Sequence, residues 1–267
     1  MAKADLLFAE GNYFEAAIAY ERIIFLSESP EVRVRANLTK AEALKQSGMF
    51  DKARKDLQRS LSYRGNDSLR LEVLYQFAFC SYMAGHSAEA RSALLQVSHL
   101  FDPEPQHRLY LLESLVLADL EQWDELRSSL MSWFMAFSQD VPAMEAVLTE
   151  YDQLLKHKLF REDRTAERAR LWSTFIPGSG QLYAGEASWG ILNAFSQLAG
   201  LGGFALMAAN GYWIAGSVIG LGAFQSFYFG GIKQAGELAD AANKSRLDEF
   251  QTALNDLILE VATMLSN

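Results

Sequence analysis

The residues able to do chemistry are few and scattered. His86, His99, His107 and His157 share no metal-ligand spacing, so they read as surface or helix-end residues, and no metal or other cofactor is expected. Cys80, the single cysteine, lies in an apolar helical stretch where it reads as a small buried hydrophobe. It can form no intrachain disulfide. No Ser/His/Asp set and no glycine-rich phosphate loop stands in a context that would use it. Glu186, near Tyr183 and Gln181, gives the one polar cluster at the edge of an apolar block, and the expectation is that the chain is not an enzyme. Binding chemistry is better represented. Arg161, Arg164 and Arg168 fall at helical spacing, and with Arg170 they form a basic strip suited to lipid phosphates just before the apolar block. Glu162, Asp163 and Glu167 are interspersed, so a solvated helix with internal ion pairs is the other reading. A net charge of -9 argues against a general nucleic-acid binder.

The apolar block runs from 171 to 232 and contains one Asp, Glu, Lys or Arg side chain, Glu186. The forty-six residues from Ala187 to Ile232 carry no charge. A bilayer core takes about 20 apolar residues per helix, so this run suffices for two crossings. Pro177-Gly178-Ser179-Gly180-Gln181 cannot be a plain helix interior, and a bend or re-entrant turn is expected there, with Gln181 and Tyr183 serving freed backbone groups. One span then covers about 189–209, Asn210-Gly211 marks a tight turn, and a second span covers about 212–231. Trp189, the pair Tyr212-Trp213 and the run Phe227-Tyr228-Phe229 read as interfacial aromatic belts. Ala199 and Gly203 in the first span, and Gly216 and Gly220 in the second, are the small residues expected to let the helices touch. Asn193, Gln197 and Gln225 are the amides deep enough to matter, as interhelical hydrogen-bonding groups. Pro177, Gly178, Gly180, Gln181, Tyr183 and Gly185 resemble the Pro-Gly-x-Gly-Gln-x-Tyr-x-Gly mark of a group of small bacterial two-span membrane modules. That resemblance implies an architecture and brings no activity.

The front of the chain repeats. Gly11-x-Tyr13-x-x-Ala16-x-x-x-Tyr20 recurs from Gly48, from Gly85 and, worn, from Glu121, in steps of 37, 37 and 36 residues. A fixed period of this size marks a stacked array of supersecondary units. The glycine reads as the turn between two helices and the alanine as their point of close approach. Ala41, Ala78 and Ser114, seven residues upstream of the turn, complete that contact. These residues resemble the tetratricopeptide repeat family, over about 4–135, with a period longer than that family's about 34. The resemblance implies a curved solenoid whose inner helices bind a peptide or a protein partner.

Four regions follow: degenerate repeats over 1–137, a capping helix and basic juxtamembrane helix over 138–170, a membrane hairpin over 171–232, and a C-terminal amphipathic helix over 233–267. The expected fold is all-α, a helical solenoid followed by a transmembrane hairpin. Leu247, Phe250, Leu254, Leu257, Val261 and Met264 make a short heptad stripe, read equally as docking on the repeats or as self-association. Combined with the repeats, the motif resembles uncharacterised Bacteroidota-type envelope proteins. Two spans place both chain ends on one side of a bacterial inner membrane. Basic flanks point to the cytoplasm by the positive-inside rule, whereas Ala2-Lys3-Ala4, which has the form of a cleavage site, and the resemblance point to the periplasm, which is favoured. The expected role is a membrane-anchored interaction scaffold or accessory subunit of an envelope complex. The alternative is a homo-oligomeric channel or transport subunit.

Overall fold

Helices are the regular elements of the described residues, and no strand occurs among them. The computed structural model describes residues 2–100, 106–159 and 164–266; Arg161 and the side chains of His99 and His157 lie outside what is described. The chain divides into two compact units, one of 1–153 with 254–267 and one of 154–253. That division falls within the segment read as capping and basic helix, and it assigns the end of the chain to the front unit.

The first unit is a succession of helix pairs: α1 (Ala2–Ala9) with α2 (Tyr13–Leu26), α3 (Pro30–Gln46) with α4 (Phe50–Gln58), α5 (Asp67–Met83) with α6 (Ser87–Leu100), and α7 (His107–Asp119) with α8 (Trp123–Phe137). Each helix packs chiefly on its sequence neighbours, and α3, α5 and α7 also meet one another in succession. The turns within the pairs are left-handed, with φ of +78° at Gly11, +71° at Gly48, +78° at Gly85 and +55° at Glu121. A Cβ at Gly11, Gly48 or Gly85 would meet nothing within 4 Å. Glycine is there for its backbone conformation and not for space. Small residues close the pairs: Ala16, Ala53, Ala78, Ala90 and Ser114 are fully buried, and Leu126 takes the place of the alanine in the fourth pair. Polar caps start the later helices, with Ser29 before α3 and Asn66 before α5. Helix α9 (Val141–Leu159) opens on Asp140, whose Oδ1 accepts from the Ala143 amide at 3.1 Å. In the C-terminal segment Leu254, Leu257, Ile258 and Val261 are buried, so the middle of the heptad stripe docks within this unit, while Leu247 and Met264 stay exposed.

The second unit holds α10 (Ala166–Phe175), α11 (Ser179–Ala184), α12 (Ala187–Ala209), α13 (Trp213–Gly216), a π-helical turn (Ser217–Leu221) and α14 (Gly222–Ser266) as far as Ala253. Among the described residues α12 is the one helix long and apolar enough to cross a membrane, and 22% of its most apolar window is buried. Its 23 residues rise about 35 Å, against a hydrocarbon core of about 30 Å. The second expected span is not a separate element. The backbone is helical at Gly216, Ser217 and Gly222, so α13, the π turn and α14 follow without a break, and α14 continues past Lys233 to Ser266. No proline stands near Lys233, and the Gly230-Gly231 pair just before it stays helical. The spacing of Arg164 and Arg168 predicts one helix face through both. Thr165 instead caps α10, its hydroxyl accepting from the Arg168 amide, which leaves Arg164 ahead of the helix and off the face of Arg168.

Candidate functional site

In the first unit, charged side chains join successive pairs in the register of the repeat. Arg54, Arg91 and Arg127 each stand six residues after a turn position. Arg54 donates to Glu89 at 2.6 Å, Arg91 to Glu125 at 2.6 Å, and Arg127 to both oxygens of Asp152 on α9 at 3.0 and 3.1 Å. The Asp51 carboxylate, hydrogen-bonded first by Lys55 and then by Arg54, is held down at about 2. Lys40, nearly buried, lies 2.6 Å from Glu21 and 2.5 Å from Asp56, and it is the main cause of the depressed pKa of Glu21. A second row crosses α3, α5 and α7. Lys45 donates to Gln76 at 2.7 Å and lies over the Phe79 ring, Gln76 donates to Glu72 at 2.8 Å, and Arg108 donates to Glu72 at 2.8 Å while its guanidinium lies 4.3 Å from the Tyr75 ring centre. This row can offer charge and aromatic faces to a polar chain. It has no nucleophile beside a base. Cys80 is fully enclosed, and burial pushes its thiol up to about 12. None of these pairs was singled out from the sequence, although the recurrence of Arg54, Arg91 and Arg127 in the aligned copies was a usable signal.

In the second unit, the Pro-Gly motif is a fastening between helices. Ile176 ends α10, and Gly178, at φ +83°, starts α11. A Cβ on Gly178 would lie 2.1 Å from the Gly190 carbonyl oxygen, so the motif turn and the start of α12 cross backbone on backbone. A Cβ on Gly180 would lie 2.0 Å from the Ala169 carbonyl oxygen, which brings α11 against α10. Gln181 is fully buried; its Oε1 accepts from the Ser173 hydroxyl at 3.1 Å and its Nε2 donates to the Gly231 carbonyl of α14 at 2.9 Å. The Tyr183 hydroxyl accepts from the Thr165 amide at 3.3 Å. Gly185, at φ +94°, ends α11 under the Arg164 guanidinium, which donates to the Ala184 carbonyl. Pro177 is exposed in the turn. The six motif residues thus come together, and they draw in Ser173, Gly231 and, through Arg164, Asn243. The Asn243 amide bonds both backbone groups of Arg164, at 3.0 and 2.8 Å.

The helix seam is more selective than the four small residues suggested. A Cβ on Gly220 would lie 2.6 Å from the Phe204 amide nitrogen, and one on Gly216 would lie 3.0 Å from Met207 Cβ. On α12 the close residue is Gly200, whose Cβ would lie 2.9 Å from the Phe224 amide nitrogen. Ala199 is exposed, and a Cβ on Gly203 would meet nothing. These two instead line a shallow apolar groove of about 310 Å³, flanked by Phe195, Met207, Ile219 and Phe227. The arginine strip is partly spent inside the unit: Arg164 is turned onto α11, and the Arg170 guanidinium lies where a side chain at Gly236 would be. Arg168 is exposed on α10. Glu186 precedes α12 and accepts the Gly190 amide through its backbone carbonyl at 3.0 Å. Among the described residues no group of three His, Cys, Asp or Glu side chains could hold a metal ion. No protein family, curated protein or solved structure matches the chain.

Proposed function

We propose that the protein is a membrane-anchored, non-catalytic interaction scaffold, or an accessory subunit of a bacterial cell-envelope complex. The observation that carries the reading is α12, a helix of membrane-crossing length whose apolar side chains, among them Ile191, Leu192, Phe195, Leu198 and Leu206, face outward. Water would penalise that surface and hydrocarbon would not. The uncharged helical run from Trp213 to Ile232 supports a second crossing, which makes a hairpin with both ends on one side. The exposed Trp189, Tyr212, Trp213 and Phe229 suit interfacial anchors. The paired helices of the first unit, with their left-handed turns, support a tetratricopeptide-like solenoid, and the row from Lys45 to Arg108 is the surface offered to a protein partner. The periplasmic side of the inner membrane is favoured for both ends. The channel alternative gains nothing from Asn193 and Gln197, which are buried within their own unit; of the three amides Gln225 alone is exposed.

The test is extraction of native membranes in a mild detergent, followed by mass spectrometry of the purified complex. Unlike subunits in fixed ratio are the expected result. A symmetric assembly of this chain alone would favour the channel reading, and recovery in the soluble fraction without detergent would end both.

A further inference from the structure

Helix α2 carries large apolar side chains on a side that the first unit leaves bare. Phe14, Ile18 and Phe25 follow one another at steps of four and seven residues, so they share one helix face. All three are exposed, and Phe25, at 87%, is the most exposed large hydrophobic side chain among the described residues. The repeat does not ask for them. In place of Phe14 the later copies have Asp51, Ala88 and Asp124, and in place of Ile18 they have Lys55, Ser92 and Ser128. Leu6 on α1 is also 59% exposed, although Ala43, Cys80 and Val116, at the same place in the later pairs, are fully enclosed. Single exposed hydrophobes are ordinary, whereas a contiguous apolar face marks an interaction site.

The charges beside this face define what covers it. Glu15 and Arg22 stand seven residues apart, so both flank the apolar stripe on the same side. Both are exposed, and neither is paired among the described residues. When two identical helices pack antiparallel about a two-fold axis, like flanks meet. An axis between Ile18 and Ala19 brings Glu15 of each copy to Arg22 of the other. It also sets the two Ile18 side chains together and carries Phe25 to within two residues of the other copy's Phe14. A parallel pair meets each flank with the opposite one, and there Arg22 faces Ala17. An anionic lipid surface fits poorly, because residues 2–31 hold six carboxylates against two bases, Lys3 and Arg22.

We propose that the protein is a two-fold dimer through α2, in which Phe14, Ile18 and Phe25 pack antiparallel on the same face of a second copy and Glu15 of each copy pairs with Arg22 of the other. The 14 residues of α2 rise about 21 Å, a short contact that suits a reversible dimer. The dimer adds a second copy to the complex proposed above and replaces none of its unlike subunits. It does not depend on the membrane reading. Recovery of the protein without detergent would end that reading and leave this one standing.

The test uses the full chain. Ile18→Cys places a thiol beside the axis, whereas Phe25→Cys places the two thiols about 20 Å apart along it. Cys80, the native cysteine, is buried and does not compete. On mild oxidation of fresh lysates, membranes included, Ile18→Cys is expected to give a linked dimer of this chain and Phe25→Cys none. Sedimentation of the purified protein is expected to show a monomer–dimer equilibrium that Ile18→Arg abolishes. The circular dichroism of that variant should be unchanged, because Ile18 is exposed. Glu15→Arg and Arg22→Glu should each raise the dissociation constant about tenfold, and the double variant should return to the parent value. Equal linking at both cysteines, or none at Ile18→Cys, would overturn the proposal. So would linkage of Ile18→Cys to an unlike protein, which would make another chain the occupant. A dimer that persists in Ile18→Arg would be held elsewhere, and charge variants without the restoring double would exclude the antiparallel register.

Discussion

Glu121 occupies a backbone conformation that the other three turns give to glycine. It is the one non-glycine residue at positive φ among the described residues. An L-residue in that region carries a strain of about 1–2 kcal/mol. Replacing Glu121 with glycine is therefore expected to raise the free energy of unfolding by about 1 kcal/mol, and Gly48→Ala to lower it by a similar amount, in urea titrations followed by circular dichroism. The space around Gly48 is open, so conformation alone carries that effect. A neutral Gly48→Ala would mean that the turn is not left-handed in solution. Cys80 tests the packing beside it. With no exposed surface and its thiol pushed up by burial to about 12, it should resist iodoacetamide at pH 8 in the native protein and react at once in denaturant. Rapid labelling of the native chain would contradict the packing of α5.

At the scale of elements, the motif acts by joining α10, α11, α12 and α14. Gln181→Leu leaves the Ser173 hydroxyl and the Gly231 carbonyl without their partner, at an expected cost of about 1–3 kcal/mol, read from the fluorescence of Trp172 and Trp189 during unfolding. Gly178→Ala should be worse, because its Cβ would stand inside contact distance of the Gly190 backbone, which cannot move aside. Ser179→Ala, at a position the motif leaves unspecified, removes one local bond to Ile176 and should change little. If Gly178→Ala were as mild as Ser179→Ala, the backbone crossing would be wrong. The string of motif residues was legible in the sequence because its members are adjacent. Its partners were not: Gln181 reaches Ser173 across 8 residues and Gly231 across 50, and Arg164, which covers Gly185, is tied to Asn243 across 79. The four turns were legible for the same local reason, since each is set by residues within one helix pair. The seam on α12 was not, because Ala199, Gly200 and Gly203 are all small and a single residue step turns a helix face by about 100°. Composition shows that a close approach exists, and only the neighbouring helix shows which residue makes it. The continuity of α14 went unread because Gly230-Gly231 and the change from apolar to charged residues at Lys233 look like a boundary, although the helix runs through both.

Across the whole molecule the two units meet their surroundings differently, and acid separates them. Between its helices the 154–253 unit is held by amides, hydroxyls and glycine contacts that do not titrate in the acid range, and its Lys233–Glu237 pair lies within α14. The first unit is laced by carboxylates whose partners lie on other helices: Glu21 on Lys40, Asp56 on Lys40, Glu89 on Arg54 and Asp152 on Arg127. Asp51 at about 2 and the lowered Glu21 give the sign of the effect. A carboxylate whose folded pKa lies below its unfolded value of about 4 contributes stability that is fully present above that unfolded value. The contribution is lost as the pH falls through the folded pKa, which for Asp51 places the loss between about pH 4 and about 2. The first unit is therefore expected to lose cooperativity against urea over that window, with the fluorescence of Trp123 and Trp133 reporting it, while Trp172, Trp189 and Trp213 change little. Because all five tryptophans would otherwise overlap, the measurement needs single-tryptophan variants, one per unit. In Asp51→Asn the acid slope of the first unit should be shallower, since that group no longer binds a proton on unfolding. An unchanged slope would mean that Lys55 and Arg54 do not hold Asp51 in solution, and equal acid sensitivity in both units would mean that carboxylate pairing is not what distinguishes them.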